Sequence, residues 1–273
     1  MSFDHRIAEK QHTARKRFGQ NFLIDHGIID SIVASVRPKP DQTVVEIGPG
    51  KGAITEGLVR SGARLHVVEL DRDLHPILNA KFGDNPRFTL HAFDALKFNF
   101  NDLIENDQPL RVVGNLPYNI STPLIFHLLS FHPNIADMHF MLQREVVQRL
   151  AASPGSKAYG RLSVMAQYFC KVQSLFDVPP GSFDPAPKVQ SAIVRLVPHT
   201  TLPMVAKDYK LFDRLVVAAF SQRRKTLRNT LRDWVTEEQF VAQGIDPSAR
   251  AETLEVAQFV SLANLLHEAG KSS

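Results

Sequence analysis

The chain has 273 residues, 44% hydrophobic and 22% charged, with a mean hydropathy of −0.14, enough apolar material to bury a core without disulfides or a structural metal. A single cysteine, Cys170, excludes a disulfide framework and any thiolate zinc or iron–sulfur cluster, each of which needs several. The net charge is only +4, but eight bases face two acids between Lys207 and Arg232, whereas acids outnumber bases eleven to seven from Asp41 to Pro109. Such asymmetry favours a polyanionic partner held by the late, basic segment.

The first 17 residues scatter Asp4, Arg6, Glu9, Lys10, Arg15, Lys16 and Arg17 without an apolar signal core, and no apolar run is long enough for a membrane span. A cytoplasmic protein is expected. Apolar runs then recur at even spacing: Thr43 to Ile47, Leu65 to Leu70, Phe88 to Ala92, Leu110 to Gly114 and Met138 to Leu142. Helical periodicity between them, as in Ala53 to Arg60 and Leu74 to Lys81, predicts an α/β fold with a mostly parallel sheet. Gln173 to Val178 and Val189 to Val197, joined by a proline-rich loop too short for a helix, predict an antiparallel hairpin at one sheet edge. Cys170, in an apolar segment, reads as a packing thiol. Pro198 to Pro203 reads as a linker, dividing an α/β domain (1–203) from a small all-helical domain (204–273).

The first strand runs into Gly48-Pro49-Gly50-Lys51-Gly52, a glycine turn that opens a helix. Glycines there permit a tight turn and close backbone approach, so Gly48 and Gly50 are candidate nucleotide-cofactor residues. The loop also fits a relaxed dinucleotide fingerprint, which keeps a nicotinamide dehydrogenase open as a competitor. Glu69 follows Gly48 by 21 residues, the place of an acid that accepts both hydroxyls of an adenosine ribose. Asp94 ends the third strand at the same edge, where a carboxylate or its neighbouring backbone reads an adenine amine. The three together point to an adenosine-containing cofactor.

The fourth strand runs into Asn115-Leu116-Pro117-Tyr118, and here the competing chemistries separate. A nicotinamide enzyme has no use for this tetrad, whereas an amino-methyltransferase does. An exocyclic adenine amine is a poor nucleophile because its lone pair is delocalised into the ring. The Asn115 amide oxygen and the Leu116 carbonyl, both accepting from that amine, favour a localised lone pair aimed at a sulfonium methyl. Pro117 stiffens the turn and Tyr118 stacks on the base.

Gln20-Asn21-Phe22-Leu23, Glu46 to Gly52, Glu69 to Asp73, Gly114 to Ser121 and Phe183-Asp184-Pro185-Ala186-Pro187-Lys188-Val189 together resemble the dimethyladenosine transferases of small-subunit ribosomal RNA, the family whose bacterial member gives kasugamycin resistance when lost. The resemblance runs from about Arg17 to about Asn264. It implies a class I, Rossmann-like S-adenosylmethionine-dependent methyltransferase with Asn21, Leu23, Gly48, Glu69, Asp94 and Asn115 around the cofactor. It also implies two methyls on N6 of each of two adjacent adenosines, in a hairpin loop near the 3′ end of 16S rRNA within the small subunit or its precursor. Phe183 becomes a second aromatic wall opposite Tyr118, and Arg15 to Gln20 a mobile flap ahead of Asn21. A large-subunit rRNA methylase or a DNA adenine methylase shares the tetrad, and a noncatalytic assembly role beside catalysis stays open.

Late in the chain, Lys225 to Trp234 predicts an amphipathic helix. Lys225, Arg228 and Arg232 share one face, extended by Arg223 and Arg224, and Leu227, Leu231 and Trp234 share another. The basic face is the candidate RNA-binding stripe. Lys157, Tyr159 and Arg161 around Gly160 fit either RNA contact or a plain turn and helix start. No histidine spacing indicates a metal site, and a monomer is expected.

Overall fold

A computed structural model describes residues 20–270, so that Arg15 to Gly19 of the expected flap lie outside the described residues. In chain order the first elements are β1 (Phe22–Leu23), α1 (His26–Val36), β2 (Thr43–Ile47), α2 (Ala53–Arg60), β3 (Arg64–Val68), α3 (His75–Phe82) and β4 (Phe88–His91). They continue as β5 (Leu110–Asn115), α4 (Ser121–Leu129), β6 (Ile135–Gln143), α5 (Arg144–Leu150), α6 (Arg161–Phe169), β7 (Cys170–Val178), β8 (Phe183–Asp184) and β9 (Ser191–Pro198). The remaining helices are α7 (Tyr209–Ala219), α8 (Leu227–Thr230), α9 (Glu237–Ala242) and α10 (Val256–Glu268).

Seven strands form one sheet in the order β4-β3-β2-β5-β6-β9-β7. The five from β4 to β6 are mutually parallel and β9 runs antiparallel to β6. All five residues of β2 are buried, as the interior strand of a sheet covered on both faces requires. Its register sets Val44 between Leu65 of β3 and Arg111 of β5. The strand order reverses between β2 and β5, and in open α/β sheets the crevice beyond such a reversal is where ligands bind. The expected edge pair is present as neighbouring β7 and β9. The loop between them does more than turn: Phe183 and Asp184 leave the large sheet and pair with Leu23 and Phe22 in a separate two-stranded ladder.

Local chemistry explains the helix ends that matter here. Asp25 caps α1 by accepting the Gly27 and Ile28 amides, and Ser182 donates its hydroxyl to the same carboxylate from the β8 side. The carboxyl of Asp25 is held below its usual range, first by the Ile28 amide.

The chain divides into two compact units, residues 1–147 with 173–198 and residues 148–172 with 199–273. A contiguous catalytic domain ending at 203 is therefore corrected: the break at the Pro198 linker is present, but the stretch 148–172 belongs to the helical unit. The reason lies in side chains. Tyr168 meets Phe212 with ring centroids 4.9 Å apart, and Arg161 pairs with Asp213 at 2.8 Å. Leu162, Val164, Met165 and Ala166 are buried, as are Leu211, Leu215 and Val216 of α7. Cys170 is buried and its thiol is pushed up to about 12 by burial, consistent with packing rather than reactivity. Among the described residues no helix is long and apolar enough to cross a membrane.

The predicted helix over Lys225 to Trp234 is also corrected. Only one turn, α8, forms: the Leu227 and Arg228 amides donate to the carbonyls of Ala249 and Pro247 instead of to an earlier turn, so the helix begins no sooner than Leu227, and it ends where Leu231 leaves helical geometry at φ −113°. The apolar half of the reading survives in that Leu227 and Leu231 are fully buried.

In the sheet, His139 on β6 is 1% exposed, beside an Asp137 carboxylate that takes a two-pronged bond from Arg111 at 2.9 and 2.7 Å. Burial, reinforced by Arg111 and Arg195 and opposed by Asp137, pulls the imidazole down to about 4. The unfolded chain therefore takes up this proton below about pH 6.5 and the native chain only near pH 4, so the contribution of this side chain to stability is complete above pH 6.5 and lost as pH falls to about 4. The denaturation midpoint of His139→Leu is expected to fall less than that of the parent between pH 6.5 and 4. Identical pH dependence in urea titrations would overturn this assignment.

Candidate active site

The site is built where β2 ends. Gly48 and Gly50 both adopt left-handed backbone, φ 66° and 59°, and a Cβ on Gly50 would stand 3.1 Å from the Phe22 ring. Only glycine meets both demands without strain. The Gly48 amide donates to Val68 O at 3.0 Å, locking the loop to the end of β3. There Glu69 begins the next turn, and its carboxylate accepts the Asp71 amide at 2.8 Å together with the Gly50 amide. One carboxylate thus joins the glycine loop to the turn beyond β3. Asp94, beyond β4, accepts the Leu96 amide at 3.0 Å.

β5 carries the tetrad to the same edge. Asn115 Nδ2 donates to the backbone carbonyl of Asn21 at 3.1 Å. A carbonyl only accepts, so the amide nitrogen is committed and Oδ1 is the acceptor left for the cavity. The Leu116 amide donates to Met141 O of β6, and the Ile120 amide closes a turn on Pro117 O. Tyr118 Oη lies 2.6 Å from Ser191 Oγ.

Together these elements enclose a cavity of about 330 Å³ whose lining includes Asn21, Leu23, Gly48, Gly50, Glu69, Asp94 and Asn115, with Leu116, Pro117 and Tyr118. Three lining residues of consequence were not singled out from the sequence. Leu70 and Phe93 are large apolar side chains, about half exposed at the cavity wall, a surface suited to a flat base. Glu46 is fully buried beneath the glycine loop, with Thr55 Oγ1 donating to it at 2.6 Å. Its place on an otherwise apolar strand was the available signal. Burial, with a smaller push from Glu69, raises Glu46 to about 8 against the Thr55 hydroxyl. Burial raises Glu69 to about 7, opposed by the Asp71 and Gly50 amides. Among the described residues no group of three or more His, Cys, Asp or Glu side chains forms a metal cage.

Residues 11–268 match the family described as ribosomal RNA adenine dimethylase. The chain belongs to this family. It is 60% identical over 258 residues to "Ribosomal RNA small subunit methyltransferase A" of Pseudomonas aeruginosa, covering 94% of this chain and 96% of that one. It is equally similar over 260 residues to the protein of that name from Marinobacter nauticus, covering 95% and 94%. Among solved structures it is similar to a dimethyladenosine transferase from Plasmodium falciparum, with TM-score 0.78, 26% identity and coverage of 91% and 98%. A similarity to the 23S rRNA methyltransferase ErmE, TM-score 0.73 at 24% identity over 90% of this chain and all of that one, speaks for the shared class I fold.

Within this dimethylase two expected site assignments change. Phe183 is 4% exposed, belongs to the hydrophobic cluster with Leu23 and Met141, and is not among the residues that line the cavity, so here it packs as core beside the site instead of standing in the cavity wall opposite Tyr118. The β1–β8 pairing draws it there. In the helical unit Arg223, Arg224, Lys225, Arg228 and Arg232 are all exposed, but not as one helix face. Arg223 donates to Lys157 O at 2.6 Å, Arg228 pairs with Glu237 at 2.8 Å, and Arg232 lies 3.5 Å from Asp233. Lys225 and Arg232 rim a polar hollow of about 350 Å³ with Asn229 and Thr230. Gly160 opens α6 and donates to Ser163 Oγ, while Arg161 is engaged by Asp213, so this region is a turn and helix start.

A ribose whose hydroxyls donate to Glu69 needs that carboxylate ionised. Affinity for S-adenosylhomocysteine is expected to rise as pH increases to about 7 and then level off, and Glu69→Gln is expected to bind more weakly and without this step. Calorimetry from pH 5.5 to 8 checks it, and a flat profile in the parent protein refutes it.

Proposed function

We propose that this dimethylase transfers methyl groups from S-adenosylmethionine to N6 of two adjacent adenosines in a hairpin loop near the 3′ end of small-subunit ribosomal RNA, acting as a cytoplasmic monomer on the small subunit or its precursor. The relatives named for the small subunit support the target. The orientation of Asn115 carries the chemistry.

The residues present fit the cofactor. The glycine loop forms a cradle that a Cβ at Gly50 would crowd against Phe22, and Glu69 supplies a carboxylate at the right edge for ribose hydroxyls. In this reading Leu70 and Phe93 cover the adenine, Asp94 and its neighbouring backbone read the amine, and Asn21 and Leu23 close the cavity beside Gly48. When bound, the cofactor supplies an electrophilic methyl on a positively charged sulfur.

The remaining work falls to the tetrad. Asn115 Oδ1 and the Leu116 carbonyl accept from the target amine and turn its lone pair out of ring conjugation. Because Nδ2 is engaged by Asn21, no rotation of the amide is needed as the reaction begins. Tyr118 stacks on the base and holds it in line. A neutral amide serves both transfers, since it accepts from an amine with two hydrogens and again from a methylamine with one; the surplus proton of each product leaves to solvent. The basic side chains of the helical unit hold RNA phosphates.

Asn115→Ala is expected to fold and bind RNA but to lose methyl transfer by about 100-fold or more, the scale of removing a preorganised polar contact. The parent protein is expected to give mainly dimethyladenosine on RNA assembled into small-subunit particles. Mass analysis of digested RNA decides both, and a product confined to monomethyladenosine, or an active Asn115→Ala, overturns the reading.

Arg223 and Arg228 have close partners at 2.6 and 2.8 Å, whereas Arg232 lies 3.5 Å from Asp233 with both side chains exposed, so the phosphate contacts are best tested at Arg224, Lys225 and Arg232. Reversing these three to Glu is expected to reduce the slope of log affinity against log salt by about 2 to 3 units with cofactor affinity unchanged. A parental slope would make these residues ordinary solvated surface.

A further inference from the structure

Ser191 opens β9 with no measurable exposure, paired with Gln143 at the carboxyl end of β6. The neighbouring backbone is fixed, for the Arg144 amide donates to Gln190 O at 2.9 Å and the Arg144 guanidinium reaches Gln190 Oε1 at 3.2 Å. Ser191 is therefore a point on the sheet. Its hydroxyl meets Tyr118 Oη at 2.6 Å, across 73 residues of sequence, while Ser121 Oγ donates to the Tyr118 carbonyl at 3.2 Å. The tyrosine is thus held at both ends, its backbone by the turn and its phenol by β9. With the phenol oxygen engaged, what Tyr118 has to offer the cavity it lines is its ring.

We propose that Ser191 is a positioning residue that fixes Tyr118 as the wall for the target adenine and thereby governs how completely the second methyl is added. The proposal rests on the reading of Tyr118 as the base-stacking residue. Its force comes from the difference between the two transfers. In the first, the amine offers two N–H groups to two acceptors, Asn115 Oδ1 and the Leu116 carbonyl. After one methyl is attached a single N–H is left, so one acceptor loses its partner and the ring stack carries a larger share of the alignment. A tyrosine free to rotate about its side-chain bonds costs little while two hydrogen bonds hold the base, and more when one does.

The test follows first and second transfers separately, by mass analysis of RNA digests from unmethylated small-subunit particles in single-turnover reactions. Ser191→Ala and Tyr118→Phe are each expected to slow the second transfer by about five- to tenfold, the factor corresponding to one hydrogen bond of ordinary net strength, and the first by less than about threefold. Monomethyladenosine then accumulates. The double variant is expected to be no slower than either single one, because both remove the same bond. Ser191→Thr, which keeps the hydroxyl, is expected to restore the second transfer. Cofactor affinity and thermal midpoint, measured on every variant, report the fold. A parental product ratio in Ser191→Ala overturns the proposal. So do additive losses in the double variant, or equal slowing of both transfers with a lowered thermal midpoint. Tyr118→Ala separates this failure from that of the underlying reading: if it preserves both transfers, Tyr118 is not the base wall; if it abolishes them while Ser191→Ala does nothing, the wall stands and the role of Ser191 falls.

Discussion

One hydrogen bond, from the Asn115 side chain to the backbone carbonyl of Asn21, organises the site across 94 residues of sequence. It decides which atom of a symmetric-looking amide faces the cavity, and it makes that decision depend on the segment before α1. The segment is in turn tied down by Gln20 Nε2 on Asp71 Oδ2 at 2.8 Å, by Lys51 over the Phe22 ring at 4.8 Å, and by the β1–β8 ladder. Cavity wall and acceptor geometry are therefore one mechanical system. A site that needs no nucleophilic side chain places its demands on orientation, and orientation is what these contacts supply.

The two carboxyls under the glycine loop show how the same region handles charge. Glu46 and Glu69 are both taken out of water and each has an acidic neighbour, yet they are not equivalent: Glu69 has backbone amides pointing at it, whereas Glu46 has only the Thr55 hydroxyl. Burial of a carboxyl is costly and is met here by a raised affinity for protons. Buried apolar side chains such as Ile47, Ile54 and Leu74 line the same cavity and lower its polarity. A cationic ligand entering this cavity meets groups whose charge state responds to it.

Much of this was legible in the chain itself. β2 and α2 have the boundaries that apolar runs and periodicity indicate, because a fully buried parallel strand and a short amphipathic helix leave strong local patterns. Gly48, Glu69, Asp94 and Asn115 were legible because they lie at or just beyond the ends of parallel strands, which this topology carries to one edge, whereas Asn21 and Leu23 were indicated only by the family resemblance. What could not be read depends on partners distant in sequence. Phe183 looks like a site aromatic beside prolines until β1 pairs with it, and the basic run after Arg223 has helical spacing until the loop around Pro247 captures its amides. Glu46 hid inside an apolar strand, and Ser191 in a run that reads as ordinary edge strand. Burial of polar side chains by tertiary contact has no local periodicity to betray it.

The assignment of residues 148–172 to the helical unit has a consequence for how such proteins change over generations. The chain passes between the two units after residues 147, 172 and 198. The helical unit is therefore assembled from two separated stretches and cannot be acquired, lost or exchanged as a tail. Recombination at the Pro198 linker alone would strand α6, leaving Leu162, Val164 and Met165 without the helices they pack against. Relatives with different nucleic-acid targets are expected to have diverged by substitution within both stretches together, so that residues before β7 and after β9 share one evolutionary fate.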